Sequence, residues 1–312
     1  MNQLKKAVKI ELTSLMDNTV DYLSSQSHRE VQSLWHWCGR VGEMPVAEHG
    51  FSMLIKVYSD SDVHTILFDA GVSPNGVVEN AKRMSIDLGE AEFVMLSHGH
   101  YDHFGGLSTA VCAIDREDLV IVAHEDMFRR HGTLSAKGEI REYPAFPELP
   151  LAKPLKILNT KHSHLIADDL ACVTGEIPRT TEFEKGLFHN QILRDNTWQP
   201  DPDILDERAL VFNVEGKGIV VISGCAHAGI INTLRYAQKI TGESKVYAVL
   251  GGFHLAGREF EKRIEPTIAE LKRINPQLVA ASHCTGWRAL CALHREFPEA
   301  YVANAVGNRY IL

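Results

Sequence analysis

No stretch of the 312-residue chain is apolar over the roughly 18–20 residues that a membrane-crossing helix needs, which excludes a helical membrane protein. The N-terminal MNQLKKAVKIELTSLMDNTVDYL lacks the unbroken apolar core of a secretory signal. Cysteine is sparse and scattered. Cys38, Cys112, Cys172, Cys225, Cys284 and Cys291 form no Cys-x-x-Cys pair and no dense disulfide framework, so reduced thiols and a cytoplasmic address are expected. Positive charge is in deficit: 32 Lys+Arg against 40 Asp+Glu leave a formal charge of −8. Such a balance argues against a nucleic-acid partner, which calls for clustered cations, although a local basic pocket is not excluded. No internal repeat or low-complexity tract is present. The remaining composition, 45% apolar and 23% charged, is that of a globular protein. A small-molecule ligand is expected, with no membrane partner; a homo-oligomer is left open.

Histidine, by contrast, is plentiful, with 16 residues. Its placement matters more than its number. Short β-rich runs at 7–12, 51–58 and 64–71, a helical pattern at 77–86 and a buried strand pattern at 91–100 and 119–124 make up the first part of the chain. Residues 135–208 differ in texture. Seven of the 12 prolines fall between 144 and 202, regular patterns are sparse, and a lid or binding insertion is expected there. A hairpin pattern at 209–224 then leads into helices at 230–240, 260–274 (entered at Pro266) and 288–297. Strands are read at 245–252, 277–284 and 301–306. With no evident linker, this order suggests a single α/β domain over 1–312, two sheets face to face with helices outside.

The chemistry is concentrated in Ser97-His98-Gly99-His100-Tyr101-Asp102-His103-Phe104-Gly105-Gly106. His98 and His100 stand at i and i+2 of a strand end, so both imidazoles leave on one face. Asp102 and His103 follow as the chain turns. Four potential ligands within six residues can be shared between two adjacent cations. Nitrogen and carboxylate donors suit zinc, and the mixture also serves iron or manganese.

This His-x-His-x-Asp-His-Phe-Gly-Gly run resembles the signature of the metallo-β-lactamase superfamily. The resemblance implies a four-layer αββα sandwich and two divalent metal ions per chain, zinc first, with Fe, Mn or Mg as alternatives. It further implies that Asp69, in ILFDAG, supports the site from behind and that His283, in AASHCTG, completes it. The segments MDN (16–18), AEHGFS (47–52), TGEIPR (174–179), GCAHAGI (224–230), GGFHL (251–255) and SHCTG (282–286) resemble one branch. That branch is the 7,8-dihydropterin-6-methyl-4-(β-D-ribofuranosyl)aminobenzene-5′-phosphate synthase-like group.

The chain departs from the superfamily pattern at two places. Where an Asp usually follows the hairpin there is Cys225, with His227 two residues on. His227 is preferred as the ligand, and Cys225 is left open between thiolate ligation and a small buried residue. The usual histidine before the hairpin is missing, and Asp206 or Glu207 stands in that region as a possible oxygen donor.

The resulting ligand expectation is His98, His100 and His227 for one ion and Asp102, His103 and His283 for the other. Asp102 doubles as the catalytic group that steers a metal-activated water or takes its proton. His254, Glu176 and Arg179 are expected to face substrate, and His49 either bonds substrate or caps a turn. Cys284, read as continuing a strand, is expected to point away into the core. His28, His36, His131, His162, His164, His189 and His294 are assigned to the surface, and Trp35, Trp37 and Trp198 to packing. The expected activity is metal-dependent hydrolysis of a phosphorylated, ester or amide small molecule. The branch resemblance adds an alternative in which an arylamine displaces the diphosphate of a dihydropterin. A non-catalytic ligand-binding module is the third reading.

Overall fold

The computed structural model describes residues 3–25, 28–39, 42–149, 155–159 and 161–312. Pro150 and Pro154, two of the seven prolines that mark the insertion, lie outside the described residues.

Alternation of buried side chains along each strand explains the layering. In Ala209–Val214, Leu210 and Phe212 face one core while Val211 faces another; in Gly218–Ser223, Val220 and Ile222 oppose Val221 in the same way. In Ser52–Tyr58, Met53 and Ile55 share the core of Leu210 and Phe212, while Leu54 turns outward. Strands apolar on both faces must be covered on both faces. Two sheets therefore pack against each other, and each carries helices on its outer side: an αββα sandwich.

One sheet runs, by strand position, 164–166, 171–173, 209–214, 218–223, 246–252, 278–282, with 6–7 paired parallel to 209–214. The helices Ile230–Thr241, Ile264–Ile274 and Trp287–Glu296 cover it through Ile231, Leu234, Leu271 and Leu293. The other sheet runs 156–159, 120–123, 93–95, 63–68, 52–58, 9–16, 309–311, 31–32. Helices Gly76–Arg83 and Leu107–Ile114 cover it through Val77, Ala81, Leu107 and Val111.

The structure corrects several expectations. The final strand is Arg309–Ile311; residues 301–306 contribute only an isolated bridge from Tyr301 to Val279. The helix expected to open at Pro266 starts at Ile264, with Pro266 still in the first turn, where its missing N–H costs nothing. Residues 135–208 are not poor in structure. Lys156–Asn159 extends one large sheet, and His164–Ile166 with Ala171–Val173 extends the other. Asn190–Arg194 and Thr197–Pro200 join His131–Leu134 and Ile140–Glu142 in a small third sheet. These strands are three to five residues long, too short for periodicity to reveal.

Candidate metal centre

Strands 63–68 and 93–95 run parallel, as do 218–223, 246–252 and 278–282. Their C-terminal ends lie along one edge of the sandwich, where the chain leaves each strand with its polar residues. Asp69, His98–His103, Cys225–His227, His254 and His283 all follow such ends, in keeping with the tendency of α/β sheets to place function beyond the carboxyl ends of strands. Four residues here, Asp69, Ala226, His254 and His283, adopt left-handed φ between +43° and +57°. Non-glycine residues enter that region at a cost, and such strain gathers where geometry serves a site.

Three ring nitrogens form a small triangle. His98 Nε2 and His100 Nδ1 are 3.0 Å apart, and His227 Nε2 is 3.2 Å from each of them. Each nitrogen bears either a proton or a lone pair, so at least one edge of the triangle pairs like with like. No arrangement of protons satisfies all three, whereas a cation at the centre does. Two nitrogens on one tetrahedral zinc, bonded at about 2.0–2.1 Å, would stand roughly 3.3 Å apart. Burial drives His98 and His227 well below the usual histidine range, and neighbouring imidazoles push the same way; burial brings His100 down to about 4. All three are thus neutral lone-pair donors at neutral pH.

The second group is Asp102, His103, Cys225 and His283. Asp102 Oδ2 lies 3.3 Å from His283 Nε2 and 3.7 Å from His103 Nε2, and the Cys225 sulfur is 3.2 Å from His103 Nε2. His103 Nδ1 is 2.7 Å from Asp69 Oδ2, so Nδ1 donates there and Nε2 turns toward the group. Asp69 also accepts from Ser97 N and Ser97 Oγ, both at 2.7 Å, and Ser97 Oγ lies 3.0 Å from His98 Nδ1. One carboxylate thereby orients a ring in each group. Burial alone would lower His103, but the carboxylates of Asp102 and Asp69 outweigh it and raise it to about 9. Burial would raise Asp102, yet His103 and His283 hold it well below the carboxylate range.

Cys225 belongs to both groups, grouping also with His98 and His227, and to a third with His254 and Cys284. Burial pushes its thiol up in the metal-free protein. Buried without a hydrogen-bond partner are His227 Nδ1 and both ring nitrogens of His283. Donors of the right type, partly orphaned and converging from three distant stretches of chain, fit divalent cations.

Several branch motifs now acquire physical roles. The buried Asp17 of MDN accepts from His283 N at 3.0 Å and Asn304 Nδ2 at 2.6 Å, while Asn18 Nδ2 donates to His283 O at 2.9 Å. The MDN segment therefore clamps the backbone of His283. Gly224 is required because a Cβ there would stand 2.1 Å from Ser97 Oγ. Phe51 of AEHGFS packs 5.9 Å from the His283 ring, and His49 stacks on that ring at 4.7 Å.

Asp206 and Glu207 are absent from the donor groups found among the described residues. Glu207 accepts from His227 N and Ala228 N, both at 2.5 Å, and Asp206 accepts from Gly99 N at 2.7 Å. These carboxylates fix the backbones of the loops that carry His98–His103 and His227, and His227 stands beside His98 and His100.

Cys284 corrects its expectation. The strand ends at Ser282, and a turn of 3₁₀ helix over His283–Thr285 brings Cys284 Sγ to 3.5 Å from the Cys225 carbonyl. His131 is buried rather than exposed, 6.2 Å from the His100 ring, and Trp35 is about half exposed. His254 lies with its ring 4.3 Å from that of His227. Arg179 donates to the carbonyls of Asp203 and His227, the latter at 3.4 Å, and Glu176 lies 3.2 Å from His124 Nε2. Sequence reasoning missed the fully buried Arg208, which donates to Leu96 O at 2.8 Å beneath the signature loop; no periodicity marks a lone buried cation.

Residues 47–236 match the family model described as metallo-beta-lactamase superfamily. A protein of Methanocaldococcus jannaschii named 7,8-dihydropterin-6-methyl-4-(beta-D-ribofuranosyl)-aminobenzene-5′-phosphate synthase is 31% identical over 276 residues. That alignment covers 82% of this chain and 87% of the relative. An uncharacterized protein of the same organism is 32% identical over 270 residues, covering 84% and 94%. Among solved structures, Tm1679, described as a metal-dependent hydrolase of the beta-lactamase superfamily, shares the fold with a TM-score of 0.73 at 24% identity, covering 96% of this chain and 98% of that one. From the signature loop, the four-layer architecture and these matches together, the chain belongs to the metallo-β-lactamase superfamily.

Proposed function

We propose that His98, His100 and His227 hold one divalent cation and Asp102, His103 and His283 a second, and that the chain is an enzyme acting on a phosphorylated small molecule. The nitrogen triangle carries this reading, since no pattern of protons satisfies it. The donor set favours zinc, with iron or manganese next and the harder magnesium last. When bound, such ions polarise a carbonyl or phosphoryl oxygen and lower the pKa of a bound water.

The remaining work falls to the chain. Asp69 fixes the His103 tautomer and, through Ser97, the His98 ring. Asp102, held ionised, takes a proton at a carboxylate oxygen from the attacking nucleophile. His254 faces substrate beside His227; Arg179 and Glu176, both in the proline-rich segment, line the approach. Tyr143 and Asn190 of that segment stand against His100, at 5.5 Å between rings and 3.4 Å from Oδ1 to Nε2. Their position supports the role of 135–208 as a lid or insertion within one domain.

The named relative favours transfer over hydrolysis. In that reaction the arylamine nitrogen bonds to the methylene carbon of a dihydropterin diphosphate, the carbon–oxygen bond breaks, and diphosphate leaves with the electron pair. Asp102 takes the amine proton. Hydrolysis is the second reading, supported by the ionised Asp102, which can orient a water in the amine's place. Diphosphate release, measured with and without the arylamine, separates the two. Release that requires the arylamine supports transfer, equal release without it supports hydrolysis, and no release by metal-loaded protein in either case contradicts both for this substrate.

A further inference from the structure

Two buried thiols at the metal centre have no task in the mechanism proposed above. Cys225 and Cys284 are 3% and 7% exposed, and both are free thiols. Each stands beside a proposed ligand: Cys225 lies two residues before His227, and Cys284 directly follows His283. Their sulfurs and a ring nitrogen of His254 all lie within 4.8 Å of one another. Cys284 Sγ also donates to the Cys225 carbonyl at 3.5 Å. Gly252 borders both residues. A Cβ there would stand 2.7 Å from Cys284 Sγ and 3.2 Å from Cys225 Cα, so the missing side chain is what lets the two turns approach each other.

Neither cysteine is held inside a strand. Cys225 follows the strand Gly218–Ser223, and Cys284 sits in the 3₁₀ turn His283–Thr285. A modest closing of the two turns therefore brings the sulfurs to bonding distance. The Cys225 sulfur now stands 3.2 Å from His103 Nε2, within the second donor group. Drawing it toward Cys284 takes it away from that group. It also pulls together the loop that carries His227 and the turn that carries His283, one proposed ligand from each group. A third cation held by Cys225, Cys284 and His254 is the competing use of these atoms. It is disfavoured because Cys225 also borders both proposed cations, so a further positive charge there would be repelled by two others, whereas a disulfide is neutral.

We propose that Cys225 and Cys284 are a redox-modification site: hydrogen peroxide joins them in a reversible disulfide that lowers the affinity of the centre for its cations. The more exposed Cys284 sulfur attacks one peroxide oxygen, the oxygen–oxygen bond breaks, and one water leaves, giving a sulfenic acid. The Cys225 sulfur then displaces the hydroxyl from Cys284 as a second water, and the sulfur–sulfur bond forms. Two thiols and one peroxide thus become one disulfide and two waters; the sulfurs are oxidised and the peroxide is reduced. A thiol reductant reverses the bond by exchange. The effect on the cations rests on the two-cation reading, whereas the crosslink itself does not.

The test treats the full-length, zinc-loaded chain with hydrogen peroxide, in a Cys112→Ser/Cys291→Ser background that removes the two exposed thiols. Peptide mapping by mass spectrometry without reductant is expected to find the Cys225 and Cys284 peptides joined, and to find them separate again after dithiothreitol. Zinc affinity, titrated calorimetrically, is expected to fall roughly 10–100-fold on crosslinking, the scale of losing a supporting partner of a ligand, and to return on reduction. Adding Cys284→Ser is expected to abolish the crosslink and to let the protein keep its zinc under the same peroxide. Peroxide that leaves both thiols open to alkylation, carries them to sulfinic acids without a crosslink, or pairs either one elsewhere would overturn the site. So would a crosslinked protein whose zinc affinity is unchanged, or a third zinc ion per chain that Cys284→Ser removes. Elemental analysis before treatment reads the underlying centre separately: a chain that crosslinks as described but never holds zinc sinks the two-cation reading and leaves the disulfide standing.

Discussion

The two donor groups sit side by side yet are built on opposite electrostatic principles. His98, His100 and His227 are neutral, their basicity suppressed by burial, and they meet one another with lone pairs that nothing in the chain satisfies. In the second group the chain partly satisfies itself: the carboxylates of Asp102 and Asp69 raise His103 to about 9, so at neutral pH its ring carries a proton where a metal would go. A cation enters the first group without displacing a proton; in the second it must expel one. On the proposed assignment, the first group takes up its ion without releasing a proton and the second releases one, so only the second is expected to load in a pH-dependent way.

Removing a corner of the neutral triangle is the harshest way to break this comparison. His100→Ala is expected to lose most bound metal and nearly all activity with the far-ultraviolet circular dichroism unchanged; full activity would refute the site. The next effect is pH. Below about 9 a proton competes for His103, so zinc affinity of the second group is expected to rise about tenfold per pH unit, roughly a hundredfold from pH 6 to pH 8, while the first group stays flat over that range because His100, lowered to about 4, is neutral throughout it. Calorimetric zinc titrations at the two pH values should show one tight ion at pH 6 and two at pH 8; two equally tight ions at both would erase the distinction.

Asp69→Asn tests what the groups share. Losing an outer partner costs roughly 10–100-fold in metal affinity. The loss should fall mainly on the second group, since Asp69 contacts His103 directly and His98 only through Ser97. Equal losses in both groups, read from the same titrations, would make Asp69 a general scaffold rather than a selective one. The smallest effect belongs far from either group. Arg288→Ala removes an exposed pair with Glu261 and is expected to change stability by no more than about 1 kcal/mol in chemical denaturation and to leave both zinc affinities intact.

The same contrast shows how much could be read from residues alone. The first motif was legible because its ligands are adjacent in sequence and alternate at a strand end. His227 and His283 came from the resemblance, each lying in a segment that matches the superfamily or its branch, and the structure brings both beside the signature loop. The long-range parts were not legible. Cys284 was misplaced because strand alternation was carried past Ser282, where a 3₁₀ turn reverses the side chain. Asp206 and Glu207 looked like spare ligands, but carboxylates near a loop can equally satisfy backbone N–H groups, and here both do. Three- to five-residue strands in 135–208 carry no period, and their pairing is set by partners far away in sequence. His131 looked solitary until the fold brought it beside His100.

Elemental analysis of the purified protein, before and after chelation, tests the central claim most directly. Two divalent ions per chain, removed together with activity and restored together with it, is the predicted result. A chain that turns over its substrate while holding less than one ion, or whose activity is indifferent to the chelator, would contradict the account.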